Sequence, residues 1–125
     1  MPIIFEIDVA RALVVTTVTG AVGEAEFLAH QARLLADERF SPSFDTMIEF
    51  RPGSAFNGSG EDIRNLAQSN PFGRESRRAY VVASDLNFGL ARMAQEYGDM
   101  IGQEVELFRD RDAAFDWLDR GRRKR

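Results

Sequence analysis

Strand-like and helical segments alternate strictly along most of this chain, and this alternation constrains its fold more than any other feature. Three short apolar runs, "TMIEF", "AYVVA" and "EVELF", are each followed by a segment with apolar residues at helical spacing. A strand that returns through a helix lies parallel to its predecessor, with a right-handed connection. We therefore predict an α/β fold: a single domain with a mixed, mostly parallel five-stranded sheet and the element order β-β-α-β-α-β-α-β-α.

The first two predicted strands differ from the others because almost nothing separates them. "IIFEIDV" at residues 3–9 alternates apolar and polar side chains, and "ALVVTTVTG" at residues 12–20 is rich in β-branched residues. So short a connection favours an antiparallel pair. We therefore expect an opening hairpin that contributes the one antiparallel strand. The acid and apolar alternation of "EVELF" predicts a charged edge strand.

Apolar side chains at helical spacing predict which face of each helix packs on the sheet. In the first helix these side chains are Phe27, Leu28, Ala32, Leu34 and Leu35. In the third helix they are Leu86, Leu90, Met93, Tyr97 and Ile101. We expect Ser84 or Asp85 to cap the third helix and Gly121 to end the last one.

Length and composition fit one cytoplasmic domain. The chain has 125 residues, of which 44% are hydrophobic and 29% charged, as in ordinary globular proteins. It has no cysteine and no apolar run near the roughly 20 residues that cross a bilayer, and in "MPIIFEIDVA" no basic region precedes the apolar run. We predict one domain at residues 1–121, a disordered basic tail at residues 122–125, no transmembrane segment and a cytoplasmic location.

The charge distribution argues against a nucleic-acid partner. The net charge is −4, but the last six residues, "RGRRKR", hold five of the 16 basic groups. The rest of the chain has 11 basic against 20 acidic groups, a net charge of −9 that repels phosphates. A basic tail can contact nucleic acid or anionic lipid, although a frayed, solvated end is the commoner case.

Four stretches give the chain a resemblance to a known family. They are "FDTMIEFR", "EDIRNLA", "RRAYVVASDLNFGLARM" and "VELFRDRDAAFDWL". In this order they resemble the SpoIIAA-like, or STAS/SEC14-like, group of bacterial proteins, which is related to the antagonists of anti-sigma factors. The resemblance implies a STAS-type fold and a regulatory, protein-binding role. Its SEC14-like part implies carriage of a small apolar ligand or lipid.

Ser59 is the residue to which the resemblance gives a regulatory role. In the antagonists, a partner kinase phosphorylates a serine that follows an aspartate, in a D-S-S-G-like run, at the start of the helix after the third strand. The corresponding segment here is "FNGSGED", in which Asn57 and Gly58 replace the acidic residue. From the residues alone, Ser59 is a helix cap that Asp62 completes, worth about 1 kcal/mol. Phosphorylation of Ser59 is the weaker alternative, because a phosphate would face Glu61 and Asp62.

The predicted sheet suggests where a ligand or partner site lies. Ligands of an open parallel sheet bind beyond the carboxyl ends of the strands, where this chain has the loops 20–23, 51–60, 84–87 and 109–111. Their polar side chains form the candidate site: Arg51, Asn57, Ser59, Ser84, Asp85, Asn87 and Arg109. The alternative is that these residues only cap helices, form turns or carry solvated charges.

Few residues point to catalysis or metal binding. His30 is the only histidine, and its position in the middle of a helix predicts a surface or half-buried side chain. A single imidazole without cysteine does not build a zinc site. Ser59 and Ser84 are the serines in suitable loops, and a nucleophilic serine needs a base beside it. We expect no catalytic residue, no cofactor and no metal, and a hydrolase is the least favoured function.

Two functions fit these observations better than an enzyme. The first is a non-catalytic regulatory or protein-binding module, whose partner docks around the helix after the third strand. The second is a carrier of a small apolar ligand or lipid, for which Phe88, Met93, Tyr97 and Met100 supply deformable apolar surface. Edge strands and an amphipathic hairpin also make a homodimer plausible.

Overall fold

The computed structural model describes residues 2–123, which form four helices and two sheets. The strands are β1 (Ile3–Asp8), β2 (Leu13–Val18), β3 (Ala21–Val22), β4 (Asp45–Phe50), β5 (Ala55–Phe56), β6 (Arg77–Val82) and β7 (Glu104–Phe108). The helices are α1 (Glu24–Ala36), α2 (Gly60–Gln68), α3 (Asp85–Met100) and α4 (Arg111–Arg123).

The main sheet has five strands in the order β1-β2-β4-β6-β7. Strands β1 and β2 are antiparallel, with Ile3 beside Val18, and every other neighbouring pair is parallel. The chain is therefore α/β with a mostly parallel mixed sheet, as the sequence predicted. The edge strand β7 carries Glu104 and Glu106 on its exposed side, which discourages pairing with another strand.

Two further strands were not predicted. β3 and β5 pair in parallel, with Ala21 beside Ala55 and Val22 beside Phe56. The amide of Asn57 continues this ladder with a 2.7 Å hydrogen bond to the carbonyl of Val22. A strand of two residues is too short for its side chains to show a period of two. The observed element order therefore contains two members that the predicted order lacks.

The two faces of the main sheet are covered unequally. Helix α4 packs on one face, where Ala114 and Leu118 contact Met47 and Ala79. Helices α1, α2 and α3 lie against the other face. There, Leu34 of α1 belongs to a cluster that includes strand residues and Phe72. The three-helix side is the one that encloses the candidate site.

In two helices, the buried residues are not the full set that the sequence predicted to face the sheet. In α1 the buried residues are His30 and Leu34, whereas Leu28 and Leu35 are exposed. In α3 the buried residues are Asn87, Ala91 and Gly98, whereas Leu86 is 69% exposed. A β-carbon on Gly98 would come within 2.5 Å of the Val105 side chain, so α3 approaches β7 closely at this glycine. The small residues therefore mark the buried face of α3 better than the large ones.

Gly121 does not end the last helix, contrary to the prediction, because α4 continues to Arg123. Instead, Gly121 makes room for Arg77: a β-carbon at this position would lie 1.3 Å from the Arg77 Nη1 atom. Arg77 is 9% exposed and donates to Glu104 and to the Trp117 carbonyl. Of the expected disordered tail, residues 122 and 123 are helical, and residues 124 and 125 lie outside the described residues.

Candidate functional site

A cavity of about 90 Å³ lies between the main sheet and helices α1, α2 and α3. Water needs about 10–15 Å³, so this space has room for several waters or for one small organic molecule. Its wall is contributed by all three helices, by strands β4, β5, β6 and β7, and by the segment between α2 and β6. The site is thus assembled from distant parts of the chain rather than from one loop.

Most of the wall is apolar and much of it aromatic. Phe27 of α1 lies 6.3 Å from Phe50 of β4 and 5.9 Å from Phe56 of β5, measured between ring centroids. Leu34 of α1 and Ala91 of α3 contribute aliphatic wall and are buried. Ring pairs at these separations pack favourably, so this side of the cavity has a defined shape.

His30 is a buried member of the cavity wall, which corrects the expectation of a surface or half-buried residue. It is 5% exposed, and its ring packs edge-on against Phe5 at 5.5 Å and Phe27 at 6.4 Å. Burial, followed by the nearby charges of Arg33 and Arg78, lowers the pKa of His30 to about 4. The imidazole is therefore neutral at pH 7.

The two ring nitrogens of His30 have different surroundings. Nε2 lies 3.5 Å from the Thr16 hydroxyl oxygen, whereas Nδ1 has no hydrogen-bond partner among the described residues. Thr16 is fully buried on β2, so its hydroxyl is held in place. If the hydroxyl donates to Nε2, the neutral ring carries its proton on Nδ1 and has a donor left to offer.

Arg78 brings a positive charge to the cavity wall. Its Nη2 atom donates to Asn70 Oδ1 at 2.9 Å and its Nη1 atom to the Tyr80 hydroxyl at 3.2 Å. Its guanidinium lies 5.4 Å from the Phe72 ring centroid and 5.9 Å from that of Tyr80. The buried Nε atom has no partner among residues 2–123. The side chain is thus held by neutral groups, and part of its donor capacity remains unused.

Asn70 and Gln103 form a polar end of the cavity. Asn70 Nδ2 donates to Gln103 Oε1 at 2.8 Å, and Asn70 Oδ1 also accepts from the amide of Phe72. Gln103 Nε2 donates to the carbonyl of Phe72. These bonds fix the loop that precedes β6 and orient the acceptor that holds Arg78.

Asn87 is the one predicted site residue that lines this cavity. It lies in the first turn of α3 and is 6% exposed. Its Nδ2 atom donates to the Ser54 carbonyl at 2.9 Å. Its Oδ1 atom and the hydroxyl of Ser54 have no hydrogen-bond partner within residues 2–123.

The other predicted residues at the start of α3 lie on the surface. Ser84 caps the helix, as predicted, by accepting from the amide of Asn87 at 3.1 Å. Arg109 donates to the Ala83 carbonyl at 2.8 Å and to Asp85 at 3.1 Å, and its guanidinium lies over Phe88. Arg109 therefore ties the loop after β7 to the start of α3 and does not reach the cavity wall.

Ser59 caps α2 and is exposed. Its hydroxyl accepts from the amide of Asp62 at 3.1 Å, while the Asp62 carboxylate accepts from the amide of Ser59 at 2.9 Å. The predicted capping box is thus confirmed. A phosphate on Ser59 would displace this reciprocal pair and stand beside the Asp62 carboxylate.

Arg51 and Asn57 also stand apart from the cavity. Arg51 is exposed and donates to Glu49 at 3.3 Å, and Arg111 approaches the other oxygen of Glu49 at 3.8 Å. Asn57 is exposed at the end of the short β3–β5 sheet. Of the seven predicted residues, Ser84, Asp85, Asn87 and Arg109 lie together at the start of α3, and the cavity wall contains Asn87 alone of the seven.

The cavity residues that sequence reasoning missed are chiefly His30, Asn70, Arg78, Tyr80 and Gln103. One sequence signal was available for Arg78. It stands two positions before Tyr80 at the start of an apolar strand, so the two share a face of the sheet. The other residues come from separate loops and helices and have no common spacing.

Comparisons of the chain with protein-family models, with curated proteins and with solved structures found no match. Residues 2–123 include no group of three or more histidine, aspartate or glutamate side chains placed to hold a metal ion. Within the same residues, no helix has both the length and the apolar character that crossing a membrane requires.

Proposed function

We propose that this protein is a non-catalytic binding protein for a small, largely apolar molecule, which occupies the cavity between the main sheet and α1–α3. The observation that carries the proposal is the pairing of an aromatic wall with the unpartnered polar atoms of His30, Arg78 and Asn87. Ligand sites are typically apolar hollows with a few convergent polar groups.

The buried polar atoms support binding because they are costly without a partner. Leaving a buried donor or acceptor unsatisfied destabilises a protein by about 1–3 kcal/mol. His30 Nδ1, Arg78 Nε and Asn87 Oδ1 are three such atoms on residues of one wall. Each atom is closed off from solvent, so a ligand reaches it only when the side chain turns toward the cavity, and the ligand then gains a hydrogen bond that a closed apolar core does not offer.

The serines that the sequence suggested as nucleophiles, Ser59 and Ser84, support a role without catalysis. Ser59 and Ser84 each accept a backbone amide as helix caps. His30, which would have to activate a nucleophile, contacts the Thr16 hydroxyl and neither of these serines, and its pKa, lowered to about 4, makes its imidazole a weak base.

A cavity-filling variant tests the proposal. Ala94 of α3 lines the cavity, so Ala94→Leu places three further carbon atoms there. Isothermal titration calorimetry with a panel of six- to eight-carbon aliphatic and aromatic compounds measures binding to the wild type. We expect saturable binding of at least one compound and a loss of about 10-fold or more in Ala94→Leu, since overpacking removes the space.

Ala29→Leu is the matched control. Ala29 lies on the exposed side of α1, so the same three carbons are added away from the cavity. This variant should bind like the wild type. Equal binding by Ala94→Leu, or no binding of any panel member to the wild type, would refute the proposal.

A regulatory module that binds a partner protein is the second candidate, in keeping with the SpoIIAA-like resemblance. Leu86 and Met100, at the two ends of α3, are 69% and 80% exposed, and exposed apolar side chains mark interaction surfaces. A second copy of the chain is one such partner. Light scattering of the wild type and of a Leu86→Ser, Met100→Ser variant tests it: a dimer that the double variant abolishes supports this function.

A further inference from the structure

The cavity wall carries one charge, and that charge is positive. Among the described residues that form the wall there is Arg78 but no aspartate or glutamate. Two other arginines have carboxylate partners: Arg77 pairs with Glu104 at 2.9 Å and Arg109 with Asp85 at 3.1 Å. Arg78 has only neutral hydrogen-bond partners within residues 2–123, namely Asn70 and Tyr80.

This arrangement leaves Arg78 with N–H groups that donate no hydrogen bond to the described residues. A guanidinium has five N–H groups, and the bonds to Asn70 and Tyr80 use two of them. Its Nε atom is buried without a partner. Arg78 is half-buried, and a partly buried charge is stabilised by an opposite charge that binds to it, which the wall itself does not supply.

His30 supplies a second, independent indication. The side chain is 95% removed from solvent, lines the same cavity and has an unpartnered Nδ1 atom. With Thr16 at Nε2, the neutral ring can present Nδ1–H as a donor. A group that accepts a hydrogen bond from Arg78 or from His30 therefore suits this wall.

We infer that the ligand is a small monocarboxylate, whose carboxylate binds Arg78 and whose apolar body packs among Phe27, Phe50 and Phe56. This inference rests on the proposed binding function. A carboxylate fits a guanidinium because its two oxygens match the planar fork of N–H donors. The volume of about 90 Å³ limits the apolar body to a short chain or a single ring.

A pair of probes that differ only in charge tests the inference on the wild-type protein. Hexanoate and hexanamide have the same carbon chain, and at pH 7 only hexanoate is ionised. Calorimetric titration should show that hexanoate binds about 10- to 100-fold more tightly, as expected for hydrogen bonds to a charged group. Equal affinities would overturn the inference and leave the proposed function standing. No binding of either probe would overturn the inference, and the proposed function falls with it when no other panel member binds.

Substitutions test whether Arg78 causes the preference for hexanoate over hexanamide. Arg78→Gln should bring the two affinities within about 3-fold of each other, mainly by weakening hexanoate, because the charge-assisted bonds are lost. Arg120→Gln removes the same charge from the exposed side of α4, on the opposite face of the sheet, and should keep the full preference. An unchanged preference in Arg78→Gln would overturn the assignment.

Arg78→Lys guards against a folding defect in the glutamine variant. It keeps the positive charge but loses the fork, so we expect a preference between those of the wild type and Arg78→Gln. Circular dichroism of each variant confirms that it is folded before titration. A lysine variant that is folded but shows no preference for hexanoate over hexanamide would contradict the role of the charge.

Discussion

Asn87 and Ser54 join the start of α3 to the loop that follows β4. The Asn87 Nδ2 atom donates a 2.9 Å hydrogen bond to the Ser54 carbonyl, and both residues are buried. Because Asn87 also lines the cavity, this bond holds one side of the wall in place. A residue that sequence analysis placed in the loops beyond the strand ends therefore lies inside the protein, between a helix and a loop.

Loss of the Asn87 side chain should destabilise the fold. In Asn87→Ala the Ser54 carbonyl loses its donor, so the free energy of unfolding should fall by about 1–3 kcal/mol. Denaturation with urea measures this change. Asn57→Ala, at an exposed position, should stay within about 0.5 kcal/mol of the wild type. Equal effects of the two substitutions would contradict the structural role of Asn87.

Gly121→Ala should also destabilise the protein. The new β-carbon would overlap the Arg77 guanidinium, which bonds to Glu104 and to the Trp117 carbonyl and stacks 3.8 Å from the Trp117 ring centroid. Displacing the guanidinium breaks these contacts, so we expect a loss of about 1–3 kcal/mol, as for an overpacked core.

Gly89→Ala is the matched control and should change the stability of the protein in the opposite direction. A β-carbon on Gly89 meets nothing within 4 Å, and the residue lies in the exposed middle of α3. Alanine should stabilise the protein by about 0.5–1 kcal/mol because it favours the helix. Thermal unfolding monitored by circular dichroism compares the two variants. A stabilising Gly121→Ala would show that Arg77 is not held as described.

The buried His30 should make stability depend on pH. Its pKa is about 4 in the folded protein and 6.5 when exposed, so below pH 6.5 the unfolded chain binds a proton that the folded one does not. The free energy of unfolding should therefore fall as the pH drops from about 6.5 to 4, by about 3 kcal/mol for this group. The positive charges of Arg33 and Arg78 also lower the pKa of His30 and so add to this loss of stability.

His30→Gln isolates this contribution. Glutamine does not titrate, so the difference in unfolding free energy between wild type and variant should shrink as the pH falls from 6.5 to 4. All other titrating groups are common to both proteins and cancel in the comparison. A difference that is constant across this range would show that His30 is not buried as a neutral group.

Ser59 offers a test of the cap. Ser59→Ala should lower the unfolding free energy by about 1 kcal/mol, because the amide of Asp62 loses its acceptor. Ser59→Asn keeps an acceptor at the cap and should restore most of the stability. Equal stability of the alanine and asparagine variants would contradict the capping role.

The sheet and helices were predictable because their signals are local. Alternation in "IIFEIDV" and the apolar run "AYVVA" each depend on neighbouring residues, and the structure places both segments in the main sheet. The serine cap of α3 was predictable for the same reason, since Ser84 bonds to an amide three residues away. Such features need no knowledge of the tertiary contacts.

The cavity was not predictable because it depends on what the elements leave unfilled. Leu86 looks like a core residue and is exposed, whereas Gly98 is buried because α3 approaches Val105 there. His30 looks like a surface residue and is buried because Thr16 and Phe5 surround it. Contacts between distant parts of the chain decide which of these residues is buried, and the spacing of apolar residues along the sequence does not report such contacts.

The most direct test of ligand binding is a titration of isotope-labelled wild-type protein with hexanoate, followed by nuclear magnetic resonance of the side chains. Binding in the cavity predicts saturable shifts at Leu34, Leu66 and Ala91, which line it, with little change at Leu35 and Ala25, which are exposed on α1. Shifts confined to exposed side chains, or none up to millimolar hexanoate, would contradict a ligand site between the sheet and α1–α3.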